Sequence, residues 1–287
     1  MSLNSFLNDS FIQMAIFASL LASIASGTMG SFVVVKRIVF IAGSISHSIL
    51  AGTSFCLWLQ RTQGIEWVGP IEGAFAAAIG SALLLGWIHL RYRQREDAVI
   101  AAIWSTGMAI GVILLFITPG NTTEMLNFLF GNILWITPRD LILLGSLDLL
   151  ILAILAIFYR KFLALCFDEE QALLRGVPIQ TLYMLLLSVI AITIVLLIQI
   201  IGTILVIALL TLPATLSSLF TRSLPSMMIV ATIFCAFFSV CGIGVSYALN
   251  WPAGATIALL AALCYLGALL FKRKKKTAPF EKKAILN

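Results

Sequence analysis

Long apolar runs separated by short polar stretches dominate the chain. The run Ile179–Ile201 extends for 23 residues without a charged side chain. A helix of roughly 20 apolar residues crosses the ~30 Å hydrocarbon core of a bilayer. That length predicts nine spans, at roughly 11–35, 38–60, 69–90, 98–118, 139–158, 179–200, 202–219, 225–249 and 253–271. The strict apolar/polar alternation of a membrane β-barrel is missing from these runs. The seventh span contains Pro213, which lacks an amide hydrogen and crowds the preceding turn, so a break is predicted near residues 212–213.

Two segments are too short to span. Met125–Ile136, inside the loop Asn121–Pro138, reads as a helix that lies at the interface or dips in. Asp168–Arg175 reads as a polar helix, with acids at its positive dipole end and Gly176-Val177-Pro178 stopping it. The fold class expected is an all-α, polytopic membrane bundle of about nine transmembrane helices, forming one domain over residues 1–287.

Composition supports this pattern. The chain is 61% hydrophobic and 10% charged, with a mean hydropathy of +1.09. Soluble domains carry about 25% charged residues, so an ordinary soluble enzyme is excluded. The first ten residues hold no Lys or Arg, so the first run is expected to remain as a helix rather than a cleaved signal. The five cysteines form no Cys-x-x-Cys pair, and most sit in apolar runs as small hydrophobes.

Charge gives the orientation. Nine alternating crossings put 16 of the 18 basic residues on one side, leaving only Arg61 and Arg139 on the other. Lys and Arg concentrate in cytoplasmic loops. The N-terminus is therefore expected outside and the C-terminus inside a bacterial cytoplasmic (inner) membrane. The net charge of +6 is then a topology signal, with no nucleic-acid partner implied. The run Lys272–Lys276 suits a solvated stop-transfer flank or contact with anionic membrane lipid.

Candidate chemistry is sparse. No Gly is followed by Lys, so the chain has no phosphate-binding P-loop and is not itself expected to be an ATPase or another enzyme. With only two histidines, a three-histidine catalytic zinc site cannot form within one chain. His47 lies mid-span. On a helix it shares a face with Gly43, Ser44, Ala51 and Ser54. Small residues allow close helix approach or leave room for a pathway. An ionisable side chain at membrane depth usually faces the bundle interior, and neutral imidazole is the commonest transition-metal ligand. His47 is thus a candidate metal residue or a packing histidine, with Gly43, Ser44 and Ala51 as candidate pathway lining. Asp148, inside the fifth span, is either a pathway carboxylate or a hydrogen-bond partner of another helix. His89 reads as an interfacial residue. The segment from Pro213 to Pro225 is bracketed by prolines on the basic side. It reads as a short amphipathic helix able to dock in a groove of a soluble partner, or as a tight turn between spans.

Several stretches, spread in order over nearly the whole chain, carry a family likeness. They are Gly30-Ser31-Phe32-Val33-Val34-Val35-Lys36-Arg37, Ser46-His47-Ser48-Ile49-Leu50-Ala51-Gly52, Arg95-Glu96-Asp97-Ala98, Leu129-Phe130-Gly131-Asn132-Ile133-Leu134 and Asp168-Glu169-Glu170. Further along come the run from Gly202 to Ala214 and Pro252-Ala253-Gly254-Ala255-Thr256-Ile257. In these the chain resembles the permease subunits of bacterial ATP-binding-cassette importers for zinc, manganese and iron. The resemblance implies a transported divalent metal ion and no permanently bound cofactor. It implies a second permease subunit, a cytoplasmic ABC ATPase and an extracytoplasmic metal-binding protein as partners. It makes His47 the family histidine of the metal path, and makes the stretch with Pro213, Leu216, Leu219, Phe220 and Arg222 the cytoplasmic coupling helix that docks on the ATPase. Many members carry Asp four residues before that histidine; here the position is Gly43. A secondary transporter driven by an ion gradient is the alternative, and it would rest on Asp148 and His47 as midplane ionisable groups.

Overall fold

The computed structural model describes residues 10–65, 67–91, 96–120, 131, 136–167, 169–174 and 176–271. Among them there is no strand. Ten helices follow one another: α1 (Ser10–Val35), α2 (Val39–Gln63), α3 (Pro70–Arg91), α4 (Glu96–Ile117), α5 (Pro138–Phe167), α6 (Glu169–Leu174), α7 (Ile179–Ile201), α8 (Thr203–Ser218), α9 (Leu224–Leu249) and α10 (Ala253–Phe271). Eight of them are long and apolar enough to cross a membrane, and α8 is a shorter apolar helix. The nine predicted spans are therefore eight full-length helices and one short one. α6 falls where the polar helix was expected. Of the predicted interfacial segment Met125–Ile136, only Gly131 and Ile136 lie within the described residues.

The helices form two packed groups. α2 lies between α3 and α4, while α1 packs against α8 and α9, with α10 behind them. α7 joins the groups, touching α3, α5, α2, α8 and α1. Its sequence explains this position: it is apolar all round, and Leu186, Leu187, Ile190, Ala191, Ile194 and Leu197 are fully enclosed. α1 instead presents Ala15, Ala18, Ala22, Ala25 and Met29 at helical spacing, all fully buried. The basic side chains Lys36, Arg91, Arg160, Lys161 and Arg222 belong to the same end of this alternating bundle.

Short connections have identifiable causes. Between α1 and α2, Arg37 adopts φ 60. The Ile38 amide donates to Val33 O at 3.0 Å, a reach of five residues that closes the end of α1. Lys36 then crosses the basic end, donating from Nζ to Leu165 O on α5 at 2.9 Å. Its ammonium also sits 5.6 Å from the centre of the Tyr183 ring on α7.

The junction of α7 and α8 is a single residue. Gly202 takes φ 79 and ψ 161, a conformation open only to glycine, and its amide closes α7 by donating to Ile198 O at 2.9 Å. The backbone of Gly131 packs directly on the Ile201–Gly202 peptide, so tightly that a side-chain carbon at 131 would overlap it. Starting from this buried junction, the 16 residues of α8 rise only about 24 Å, short of a full crossing.

The predicted break at Pro213 does not occur. α8 runs through it to Ser218. Proline removes the amide that would bond Leu209 O, yet Cys235 Sγ on α9 lies 3.4 Å from that oxygen and donates to it. A neighbouring helix thus satisfies the freed carbonyl, which is how prolines persist inside membrane helices. The expected coupling segment is accordingly no separate helix. It is the last turn and a half of α8 followed by the turn 219–223. Ser217 Oγ fastens this turn by reaching Met227 O at 3.2 Å on α9. Thr221 Oγ1 donates to Ser217 O at 2.9 Å.

Backbones approach closely where glycines meet. A methyl group on Gly52 of α2 would overlap Gly73 O of α3, and one on Gly73 would overlap Gly52 O. Gly80, on the same helix as Gly73, has nothing within 4 Å of that position. Gly73→Ala is therefore expected to destabilise by about 1–3 kcal/mol through overpacking. Gly80→Ala should be neutral or slightly stabilising, because Ala is the better helix former. Thermal melting of the two purified variants checks this; equal midpoints would mean that α2 and α3 are not in backbone contact.

Candidate functional site at the α2–α4 contact

α2 and α4 run parallel and in register. Ser44 Oγ donates to Ile100 O at 3.2 Å. One turn on, the His47 imidazole stacks on the Trp104 indole, with centroids 4.5 Å apart and planes 19° from parallel. Farther along, a methyl on Gly107 would lie 2.8 Å from Ser48 Cα, and one on Gly111 would lie 2.6 Å from Leu50 Cγ. The α4 positions 100, 104, 107 and 111 therefore follow the α2 positions 44, 47, 48 and 50–51 turn by turn. α4 has little other support, since its remaining packing is a light contact with α3.

The residues of the His47 face are placed differently, and Ser54 at its far end is buried. Gly43 lies under the indole, where a methyl would come 3.1 Å from Trp104 Cζ3. Ser44 is fully buried and bonded across the contact. Ala51 is half-buried against the backbone at Gly111. For these the close-approach role of small side chains applies, because α4 covers them. His47 is half-open, and no hydrogen bond to either ring nitrogen is found among the described residues. Eight residues into α2, it lies about 12 Å along the helix from the basic end.

Asp148 is elsewhere. It is 5% exposed, on the buried face of α5 with Leu144, Leu147 and Ile151. That face packs on α1 and α7. Among the described residues neither carboxyl oxygen has a well-formed hydrogen bond, although the group approaches the Ala25 backbone of α1. The structure does not bring His47 and Asp148 into one interface. Among the described residues no three His, Cys, Asp or Glu side chains converge. His89 stacks on Tyr183, centroids 4.8 Å apart, at the basic end.

Within the expected coupling segment exposure is uneven. Pro213 is buried inside α8, and Leu216 is only 5% exposed. Leu219 is half-buried, whereas Phe220 is 66% exposed and Arg222 is exposed. Phe220 rests edge-on against Phe234 of α9, centroids 6.4 Å apart. The surface presented at the basic end is thus Phe220 and Arg222, with the leucines supporting it from within.

Trp104 escaped the sequence reading. Its signal was present: Trp104, Gly107 and Gly111 sit at i, i+3 and i+7, the spacing that matches the stripe on α2.

The profile of the family described as the ABC 3 transport family matches residues 8–272. The chain belongs to that family. Among its relatives, a "Probable metal transport system membrane protein" of Chlamydia pneumoniae is 45% identical over 276 residues, covering 95% of this chain and 94% of the relative. A "Manganese transport system membrane protein MntC" of Listeria innocua is 29% identical, covering 96% of each. Among solved structures, one described as PsaBC from Streptococcus pneumoniae in complex with Fab matches with a TM-score of 0.81 and 28% identity, over 93% of both chains. The helical architecture of this ABC 3 family member is thus shared with PsaBC over nearly its whole length. The chain is a multi-pass membrane protein of a transport family.

A buried carboxyl without partners costs free energy that an apolar side chain of similar size would not. Asp148→Val in this permease is accordingly expected to raise the melting midpoint, and Asp148→Asn to leave it within about 1 kcal/mol of the parent. A clear fall in both variants, measured by thermal melting, would mean that the carboxyl holds a partner in the assembled transporter.

Proposed function

We propose that the chain is the membrane-spanning subunit of a bacterial ABC importer that carries a divalent transition metal into the cytoplasm, with His47 on the route. One observation carries the reading: a mid-span imidazole is left half-open, with no hydrogen bond to its nitrogens among the described residues. Lipid is a poor surrounding for such a group, which normally faces a bundle interior or a water-filled cavity. A metal path closed by a second permease subunit against the α2–α4 side satisfies that requirement. Neutral imidazole suits manganese, iron and zinc alike. The names of the relatives favour metal cargo in general and manganese among the candidates. Membership of an ABC transport family favours this reading over a transporter driven by an ion gradient.

The remaining partners follow from the two ends. The concentration of Lys and Arg supports an orientation in the cytoplasmic membrane with the N-terminus outside and the basic end inside. On the inner end, Phe220 and Arg222 on a firmly fastened turn suit a docking surface for an ABC ATPase, with Leu216 and Leu219 holding the turn in place. On the outer end a metal-binding protein would deliver the ion. Asp148 lies outside this site and is assigned a separate role within the α1–α5 packing.

His47→Ala is expected to lower manganese uptake at least tenfold in vesicles containing the intact transporter, with permease abundance unchanged, since Ala is well tolerated in a helix. Uptake of manganese, zinc and iron at the parent rate would remove His47 from the route. The paired change Phe220→Ser with Arg222→Ala should reduce co-purification of the ATPase at least tenfold while the membrane domain keeps its melting midpoint. Undiminished co-purification would reject this turn as the docking surface.

A further inference from the structure

We propose that Trp104 is a positioning residue for His47: its indole fixes the plane of the imidazole and so aims the ring nitrogens at the passing divalent cation. The proposal rests on the reading of His47 as part of the metal route and adds the element that orients it.

A metal binds imidazole in the plane of the ring, along the lone pair of one nitrogen. The direction of approach is therefore set once the ring plane is set. In most metal sites a hydrogen bond to the other nitrogen does this. No such bond is found for His47 among the described residues. The indole stands in its place, with centroids 4.5 Å apart and planes 19° from parallel. A stacked ring cannot turn about its Cβ–Cγ bond without driving an edge into the indole, so the plane is held and both nitrogens stay at its rim.

The indole is itself held. Its Cζ3 and Cη2 lie 3.1 Å and 3.5 Å from the place where a methyl on Gly43 would be, so glycine at 43 makes room for it. One turn earlier on α4, the carbonyl of Ile100 accepts from Ser44. One turn later, Gly107 brings the backbone against Ser48. Gly43, His47 and Trp104 thus make one packed unit, with α2 supplying a vacancy and the imidazole one turn apart and α4 supplying the ring that fills the first and faces the second.

The test is manganese uptake by the intact transporter in vesicles, with KM and Vmax normalised to permease abundance. Trp104→Phe keeps a flat ring and should stay within twofold of the parent on both parameters. Trp104→Leu occupies comparable space without a flat face and should raise KM at least fivefold with Vmax within twofold. Gly43→Ala, which crowds the indole while leaving both aromatic rings in place, should also raise KM. A merely structural tryptophan would give the opposite split: reduced abundance or Vmax with KM unchanged, and Phe no better than Leu. That result overturns the proposal. His47→Ala measured alongside separates the two failures. If it transports normally, the route itself is misassigned. If it loses uptake while Trp104→Leu and Gly43→Ala keep the parent KM, the route stands and the positioning role falls.

Discussion

Helices in a membrane gain little from hiding apolar side chains from one another, because lipid tails are equally apolar. What remains is close packing of backbones and the satisfaction of every polar group within the protein. This permease is organised by the first of these constraints. Gly27 meets Thr232 and Gly30 meets Leu210 O, drawing α1 onto α9 and α8. Gly52 and Gly73 bring α2 onto α3, and Gly107 and Gly111 bring α4 onto α2. Each contact would be pushed apart by a single methyl group. The enclosed positions of α7 then fill the space between the two groups of helices.

The second constraint decides where helices stop. Gly202 ends α7 because its positive φ turns the chain within one residue, and the Gly131 backbone fits against the exposed peptide. Pro213 does not end α8, because Cys235 takes the carbonyl that proline abandons. The break thus falls where a glycine turns the chain, and continuity holds at Pro213 because a donor from a neighbouring helix is within reach. Among the described residues, hydroxyls follow this constraint too. Most serines and threonines in the spans donate to a carbonyl three or four residues back, including Ser23, Ser31, Ser46, Ser48 and Thr193. This keeps them satisfied without demanding a partner.

That division explains what could be read from the sequence. Span positions, the separation of α7 from α8 near residue 201 and the polar helix after Phe167 all depend on local hydropathy and on glycine and proline within the segment. They emerged close to their true places, except that α5 runs past its expected end near residue 158 to Phe167. Continuity through Pro213 depends on Cys235, 22 residues away on another helix, and no local rule contains it. The coupling segment was misdrawn for the same reason: two prolines looked like boundaries, but one lies inside α8 and the other begins α9. At the site, the stripe of Gly43, Ser44, His47 and Ala51 was visible as a helix face. What covers that face was not, since periodicity gives the orientation of a stripe and leaves its partner open.

The covering helix changes what the stripe does. Without α4, four small or polar positions beside an imidazole would resemble an open channel wall. With α4 in register, Gly43, Ser44 and Ala51 become the means by which that helix approaches, and the imidazole stays half-open beside the indole. A half-open histidine on a membrane helix cannot be explained by the packing that surrounds it, because packing alone would have enclosed it as it encloses Ser44. The proposed route accounts for its exposure by water in a path or the surface of a second subunit. The α2–α4 side is therefore the surface that the proposed function gives to the metal route and to the second subunit.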